Sequence, residues 1–231
     1  MMKTLVVAAA LAATTLAATA GTLQISVTDR DGKPAADVVV LVGASAKLSS
    51  APVTATITQD GLKFVPFLTV VPVGSTLRFV NRDQYDHHVR STPSGPLGSM
   101  PPAQSFELRL DAGAPAPSAP VDDYAVRPAA RKPPSGTSTI DVKIEQAGPI
   151  GLGCHIHASM RGQVYVSPTP WFGKTDANGS ARIDNVPEGA MELTLWHPDQ
   201  LQDQPLQRLQ LGAAPLVVTS QLNFVPRRRR N

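Results

Sequence analysis

Gly153-Cys154-His155-Ile156-His157-Ala158-Ser159-Met160 holds the single cysteine of the chain, with a histidine three residues on and a methionine three beyond that. A thiolate, an imidazole and a thioether delivered by one tight turn make a soft donor set. With a second imidazole from elsewhere they compose the His₂Cys arrangement, with a weak axial Met, that copper occupies in electron-transfer sites. A second imidazole stands upstream, in Asn81-Arg82-Asp83-Gln84-Tyr85-Asp86-His87-His88-Val89. Side chains alternate along a strand, so His87 shares a face with apolar Val89 and His88 shares one with Arg90. His87 is the expected ligand and His88 is expected to face water. For His87 taken alone, the alternative is a satisfied core histidine.

Cys154 and His157 are an odd number of residues apart, and a straight strand would point them to opposite faces. The segment is therefore expected to curl, with Gly151 and Gly153 supplying backbone freedom just before it. Met160 lies close enough for the same loop to deliver it, and Val164 and Val166 then resume a strand. His155 is the competing imidazole, and Met160 has core filling as its alternative role. Zinc is the competing metal, against which the thioether counts. The expected site is His87, Cys154, His157 and Met160 around one copper ion per chain, cycling between Cu(I) and Cu(II).

A lone cysteine cannot form an internal disulfide, and metal ligation is the reading that uses it. Residues 1–20 read as a secretory signal peptide: Lys3 supplies the positive start, residues 5–16 a short apolar core, and Ala18-Thr19-Ala20 a cleavage site before Gly21. The apolar run is too short to span a bilayer, so export to the periplasm is expected, with no membrane span. The net charge of +3 owes much to Lys3 and to Arg227-Arg228-Arg229-Arg230; without those five, 16 basic residues face 18 acidic ones. No basic patch interleaved with aromatics appears, and nucleic-acid binding has no support. The tail at 226–231 is expected to be a solvated end.

Outward from the donors the chain reads as all-β. Short runs rich in Val, Ile, Thr and Phe alternate with Gly, Pro, Asn and Asp signals. Strands are expected at 22–28, 37–42, 54–58, 67–72, 75–80, 88–91, 106–110, 138–144, 163–167, 181–183 and 192–196. Ten of the 22 prolines fall between Pro93 and Thr139. That stretch is expected to be a long surface loop, with only 106–110 packed. A copper-binding domain is expected over 51–167 and a small β module over 168–225, too short to hold a core alone. The N-terminal β segment at 21–50 has the same style and can supply the missing half, which would make the copper domain an insertion into a second sandwich.

Asn81-x-Asp83, His87-x-Val89 and Cys154-x-x-His157-x-x-Met160 together resemble the cupredoxin family, the plastocyanin-like type 1 copper proteins. Within it the chain is similar to bacterial plastocyanin-like proteins often labelled methylamine utilization proteins. Those carry a G-C-N-I-H-x-W-M loop and then a carboxypeptidase regulatory-like module. Residues 59–91 and 150–198 match that layout, including Thr169-Pro170-Trp171-Phe172 and Leu195-Trp196-His197-Pro198. The resemblance implies a Greek-key β-sandwich plus a small immunoglobulin- or transthyretin-like sandwich. It implies His87, Cys154 and His157 as equatorial ligands, Met160 as the axial one, and Asn81 bridging the ligand loops from behind. Three departures stand out: His155 in place of Asn, Ser159 in place of Trp, and the long segment at 93–139.

The function this predicts is a one-electron carrier working with a redox protein partner, and not an enzyme. A copper chaperone or copper-storage protein would use the same ligands, with His88 and His155 helping exchange. A non-catalytic sandwich binding module is the third reading. A hydrolase has no support, since no G-x-S-x-G elbow occurs.

Overall fold

The computed structural model describes residues 20–45, 49–112 and 138–227. The leader (apart from Ala20), residues 113–137 of the Pro-rich stretch and the tail at 228–231 lie outside them. Among the described residues the regular elements are strands, with one 3₁₀ turn at Pro96–Gly98. They run β1 (Ala20–Thr28), β2 (Val39–Ala44), β3 (Thr54–Asp60), β4 (Lys63–Val65), β5 (Leu68–Pro72), β6 (Thr76–Asn81), β7 (His87–Thr92) and β8 (Glu107–Leu110). Then follow β9 (Thr139–Lys143), β10 (Gly148–Cys154), β11 (Arg161–Ser167), β12 (Trp171–Lys174), β13 (Ser180–Pro187), β14 (Gly189–Trp196), β15 (Gln207–Leu211) and β16 (Leu216–Gln221). The protein is all-β, as its patterning predicts, and no helix among the described residues is long and apolar enough to cross a membrane.

The strands form four sheets, ordered β5-β11-β10-β7-β8, β4-β3-β6-β9, β12-β2-β14-β15 and β13-β1-β16. Alternation decides which faces meet. The first two sheets close on one core built from Ile57, Phe64, Leu77, Phe79, Val89, Ile150, Leu152 and Val164. The other two close on a second core, with Leu23, Ile25 and Val27 of β1 against Val40, Val42, Leu193 and Leu195. β1 pairs with β13 and β16, and β2 pairs with β12 and β14. The second sandwich thus draws its strands from both ends of the described chain, on either side of β3–β11.

The two sandwiches pack face to face. Val39, Leu41 and Trp196 meet Leu68, with Phe172, Val70 and Tyr165 packed against them. This explains the unbroken run Val38-Val39-Val40-Leu41-Val42. Strand β2 is buried on both faces, and such strands read as continuous apolar runs without alternation.

Five strands, β4, β10, β12, β15 and β16, have no counterpart in the sequence expectation. The consequential one is β10, Gly-Pro-Ile-Gly-Leu-Gly-Cys, which lies between β7 and β11 in the middle of its sheet. Gly151 and Gly153 are therefore strand residues, and they do not start the curl. What they contribute is the lack of a side chain. A Cβ on Gly151 would lie 2.6 Å from Thr92 Oγ1 and 2.7 Å from the carbonyl oxygens of Thr92 and Pro93. Two of those three neighbours are backbone and cannot swing away.

Gly151→Ala is expected to destabilise the fold by about 1–3 kcal/mol, the range for overpacking a tight site. Gly212, which has open space around it, should accept alanine within about 0.5 kcal/mol. Urea denaturation midpoints of the two variants check the contrast.

Candidate metal centre

β7 and β10 are antiparallel neighbours, with Cys154 opposite Val89 and Gly153 opposite Arg90. His87 is two residues before Val89 on the same inward face, so it is the diagonal neighbour of Cys154. Cys154 is the last residue of β10, and the chain curls only after it. The His155 N–H donates to the His88 carbonyl at 2.8 Å, pinning the loop to the end of β7. The Met160 N–H donates to the His157 carbonyl at 2.9 Å, and the Cys154 N–H to the Met160 carbonyl at 3.4 Å. These bonds close the loop on itself and turn His157 back over Cys154.

Three donors converge as a result. His87 Nδ1 lies 3.5 Å from Cys154 Sγ, His157 Nδ1 lies 3.6 Å from the same sulfur, and the two imidazole nitrogens are 3.2 Å apart. The centre of a circle through a triangle with those sides lies about 2.0 Å from each corner, which is metal–imidazole bond length and slightly short for a metal–thiolate bond. His87 is fully buried, Cys154 nearly so and His157 half-buried. Met160 is 1% exposed and belongs to the same apolar cluster as Cys154.

His87 is held from behind. Its Nε2 lies 2.8 Å from Asp83 Oδ2. With that N–H donated to the carboxylate, Nδ1 keeps its lone pair facing Cys154 and His157. Asp83 also accepts the amides of Gly61 at 2.8 Å and Leu62 at 3.3 Å. Burial pushes the Asp83 carboxyl upward, but His87 and the two amides together hold it below the ordinary carboxylate range. Burial takes the His87 imidazole below its usual value despite Asp83, which favours the neutral ring a metal requires.

Asn81 is nearly buried, but its bridge is not the expected one. Its Nδ2 donates to the carbonyls of Tyr85 and Asp111, both at 2.8 Å, and its Oδ1 accepts the Asp83 N–H at 2.9 Å. It fixes the turn that carries Asp83 and His87 to the end of β8. None of these bonds reaches the Cys154–Met160 loop, because Asn81 ends β6 and its side chain turns toward the residues just after it. Tyr85 covers the site, its ring centroid 5.4 Å from that of His87 and 5.2 Å from that of His157.

His88 and His155 stand outside the trio, on the outer face, with ring centroids 5.5 Å apart. His197, at the end of β14, is buried elsewhere and accepts the Asp199 N–H at 3.0 Å. Sequence reasoning missed Asp83 and Tyr85 as parts of the site. The available signal was a carboxylate four residues before a buried histidine, within a segment too short for a helix.

No family model matches the chain, and no curated protein matches it. Among solved structures, it is similar to a purple cupredoxin from Nitrosopumilus maritimus at 20% identity and a TM-score of 0.32, covering 49% of this chain and 99% of that one. It is similar to a Cu(I) form of an amicyanin variant at 17% identity and a TM-score of 0.31, covering 57% and 99%. It also matches a copper-containing nitrite reductase from Thermus scotoductus at 20% identity and a TM-score of 0.33, where 55% of this chain spans only 25% of the other. At such values the chemistry has to be read from the side chains themselves.

Asp83→Asn keeps the shape and an acceptor for His87 but removes the charge. Metal affinity is expected to fall about tenfold, the lower end for partners that orient a ligating histidine. Competition titration against a chelator measures it.

Proposed function

We propose that this protein is a type 1 copper protein that carries single electrons between redox partners in the periplasm. The observation that carries the reading is the buried triangle of His87 Nδ1, Cys154 Sγ and His157 Nδ1. Two imidazoles and one thiolate, with a buried methionine in the same apolar cluster as the cysteine, are a donor set suited to copper; structural zinc sites close four tight ligands around the ion. Copper held there supplies a one-electron couple. The chain supplies fixed positions for it: the β7–β10 register sets His87 and Cys154, and the closed loop sets His157. A site that moves little between oxidation states transfers electrons with little rearrangement. The exposed end of the site is His157, flanked by Ile156 at 56% exposure and Tyr85 at 38%. This mixed apolar rim suits transient contact with a redox protein. Export rests on the leader-like residues 1–20.

Addition of Cu(II) to the metal-free protein tests the reading. One equivalent should enter the buried centre and give an intense thiolate-to-copper band with the narrow hyperfine splitting of a type 1 site. Cys154→Ser should abolish the band, His87→Ala should destroy or strongly alter it, and His88→Ala should leave it nearly unchanged. Absence of the thiolate-to-copper band in the copper-loaded wild type, or transfer of Cu(I) to an acceptor with no redox turnover, would overturn electron carriage.

Met160 is expected to set the potential and not the occupancy, since the axial ligand is a main lever on a type 1 couple. Leu removes a donor and leaves an apolar surrounding, which favours Cu(I). Gln offers a harder oxygen, which favours Cu(II). Voltammetry should order the potentials Met160→Leu above wild type above Met160→Gln, and equal values would make Met160 a packing residue.

A further inference from the structure

The chain has five histidines. His87 and His157 line the buried centre, and His197 is buried against Phe224 and the Asp199 amide. The remaining two, His88 and His155, are far apart in sequence yet meet ring to ring, 5.5 Å between centroids and 65° between planes. A carboxylate stands against one of the pair: His88 Nε2 is in direct contact with Glu107 Oε1. Glu107 lies across the β7–β8 ladder opposite Arg90, one diagonal step from His88 on the outer face. The His88 side chain is 12% exposed and that of Glu107 62%, while His155 is exposed.

We propose that His88, His155 and Glu107 form a second, surface metal site that takes a divalent ion of the Cu(II) or Zn(II) class. Two imidazole nitrogens and one carboxylate oxygen are ordinary ligands for these ions, and Cu(II) binds such a set more tightly than its divalent neighbours. The ion would sit between His88 Nε2 and the Glu107 carboxylate, which already stand in direct contact. The three donors are less tightly drawn together than the buried trio. His155 completes the set by a side-chain rotation, which its exposed place at the start of the loop permits. Its backbone is already fixed, since its N–H donates to the His88 carbonyl at 2.8 Å. Arg90 and Arg109 share the outer face with Glu107 and His88 across the same ladder. Their charge opposes a cation, so binding is weaker than in the buried centre. The site contains no thiolate, so it gives no intense visible band, and this separates it from the buried centre by spectrum alone. Both histidines are joined through one peptide bond to a buried ligand, His88 to His87 and His155 to Cys154.

The test is titration of the metal-free full chain with Cu(II) in a non-coordinating buffer, followed by calorimetry and electron paramagnetic resonance. One equivalent is expected to give a wide-hyperfine, tetragonal signal with no accompanying blue band. His88→Ala and His155→Ala should each remove that equivalent, and Glu107→Gln should shift it to weaker binding. Any blue band from the buried centre should persist in all three variants, which also reports that they remain folded. Absence of a colourless equivalent in the wild type would overturn the proposal. So would its survival in the double variant lacking both histidines. The criterion does not depend on the buried centre: if no blue band appears at all, the electron-carrier reading fails while a histidine-dependent colourless equivalent still establishes this site.

Discussion

β7 and β10 meet in one register, and the site exists only in that register. With Cys154 opposite Val89, His87 falls on the inward face beside the thiol. A slip of one residue would turn His87 to solvent and bring His88 inward, because every side chain on a strand changes face together. Two features oppose the slip. Val89 is buried in the same core as Ile150 and Leu152 of β10 and would be expelled from it together with His87. Gly151 leaves room for Thr92 and the Pro93 carbonyl, from which a Cβ at that position would lie under 3 Å. The backbone bond from His155 to His88 then carries the pairing one step beyond the strand, into the loop that delivers His157.

The same register makes a demand that the rest of the site meets. A fully buried imidazole needs a partner for each nitrogen, since an unpaired buried polar group costs about 1–3 kcal/mol. Asp83 answers for Nε2, and the thiol and second imidazole stand at Nδ1. Asp83 in turn needs compensation, and the amides of Gly61 and Leu62 at the β3–β4 turn supply it. Asn81 holds the turn between Asp83 and Tyr85 and ties it to Asp111. A short hairpin with no chemistry of its own thus sets the direction in which His87 presents its lone pair.

The convergence of His87, Cys154 and His157 was legible in the sequence because their residue types are chemically specific. One cysteine, a histidine and a methionine in a single short loop leave few readings, and the parity of Val89 and Arg90 separated His87 from His88. Alternating strands such as β1 and β6 were legible for the usual reason, one face wet and one buried. β10 was not, because glycine and proline are loop signals by propensity and only the packing of β7 and β11 against it makes a strand there. β15, Gln-Arg-Leu-Gln-Leu, lies at the edge of its sheet and carries too little apolar character to announce itself. Asp83 was hidden for a different reason. An aspartate in a turn satisfies local amides in most proteins, and here it does that for Gly61 and Leu62 while also holding His87.

The second sandwich bears on the site through β11. That strand begins at Arg161, immediately after Met160, so the loop is only as rigid as the strand that receives it. The inner side chains of β11, Val164 and Val166, sit in the core behind the site. Its outer face carries Tyr165, beside Leu68 and Val70 of β5, and alone this would be an exposed apolar patch. Val39, Leu41, Phe172 and Trp196 of the other sandwich cover it, and Tyr165 meets Trp196 with ring centroids 4.8 Å apart. Two polar contacts add to the joint: Lys174 Nζ donates to the Leu68 carbonyl at 3.3 Å, and Thr169 Oγ1, just past β11, donates to the Val42 carbonyl at 2.7 Å. β11 is thereby packed on both sides. A strand clamped in this way gives Met160 and the closing bond to Cys154 a fixed base, so the module without donors of its own helps hold the geometry of the one that has them.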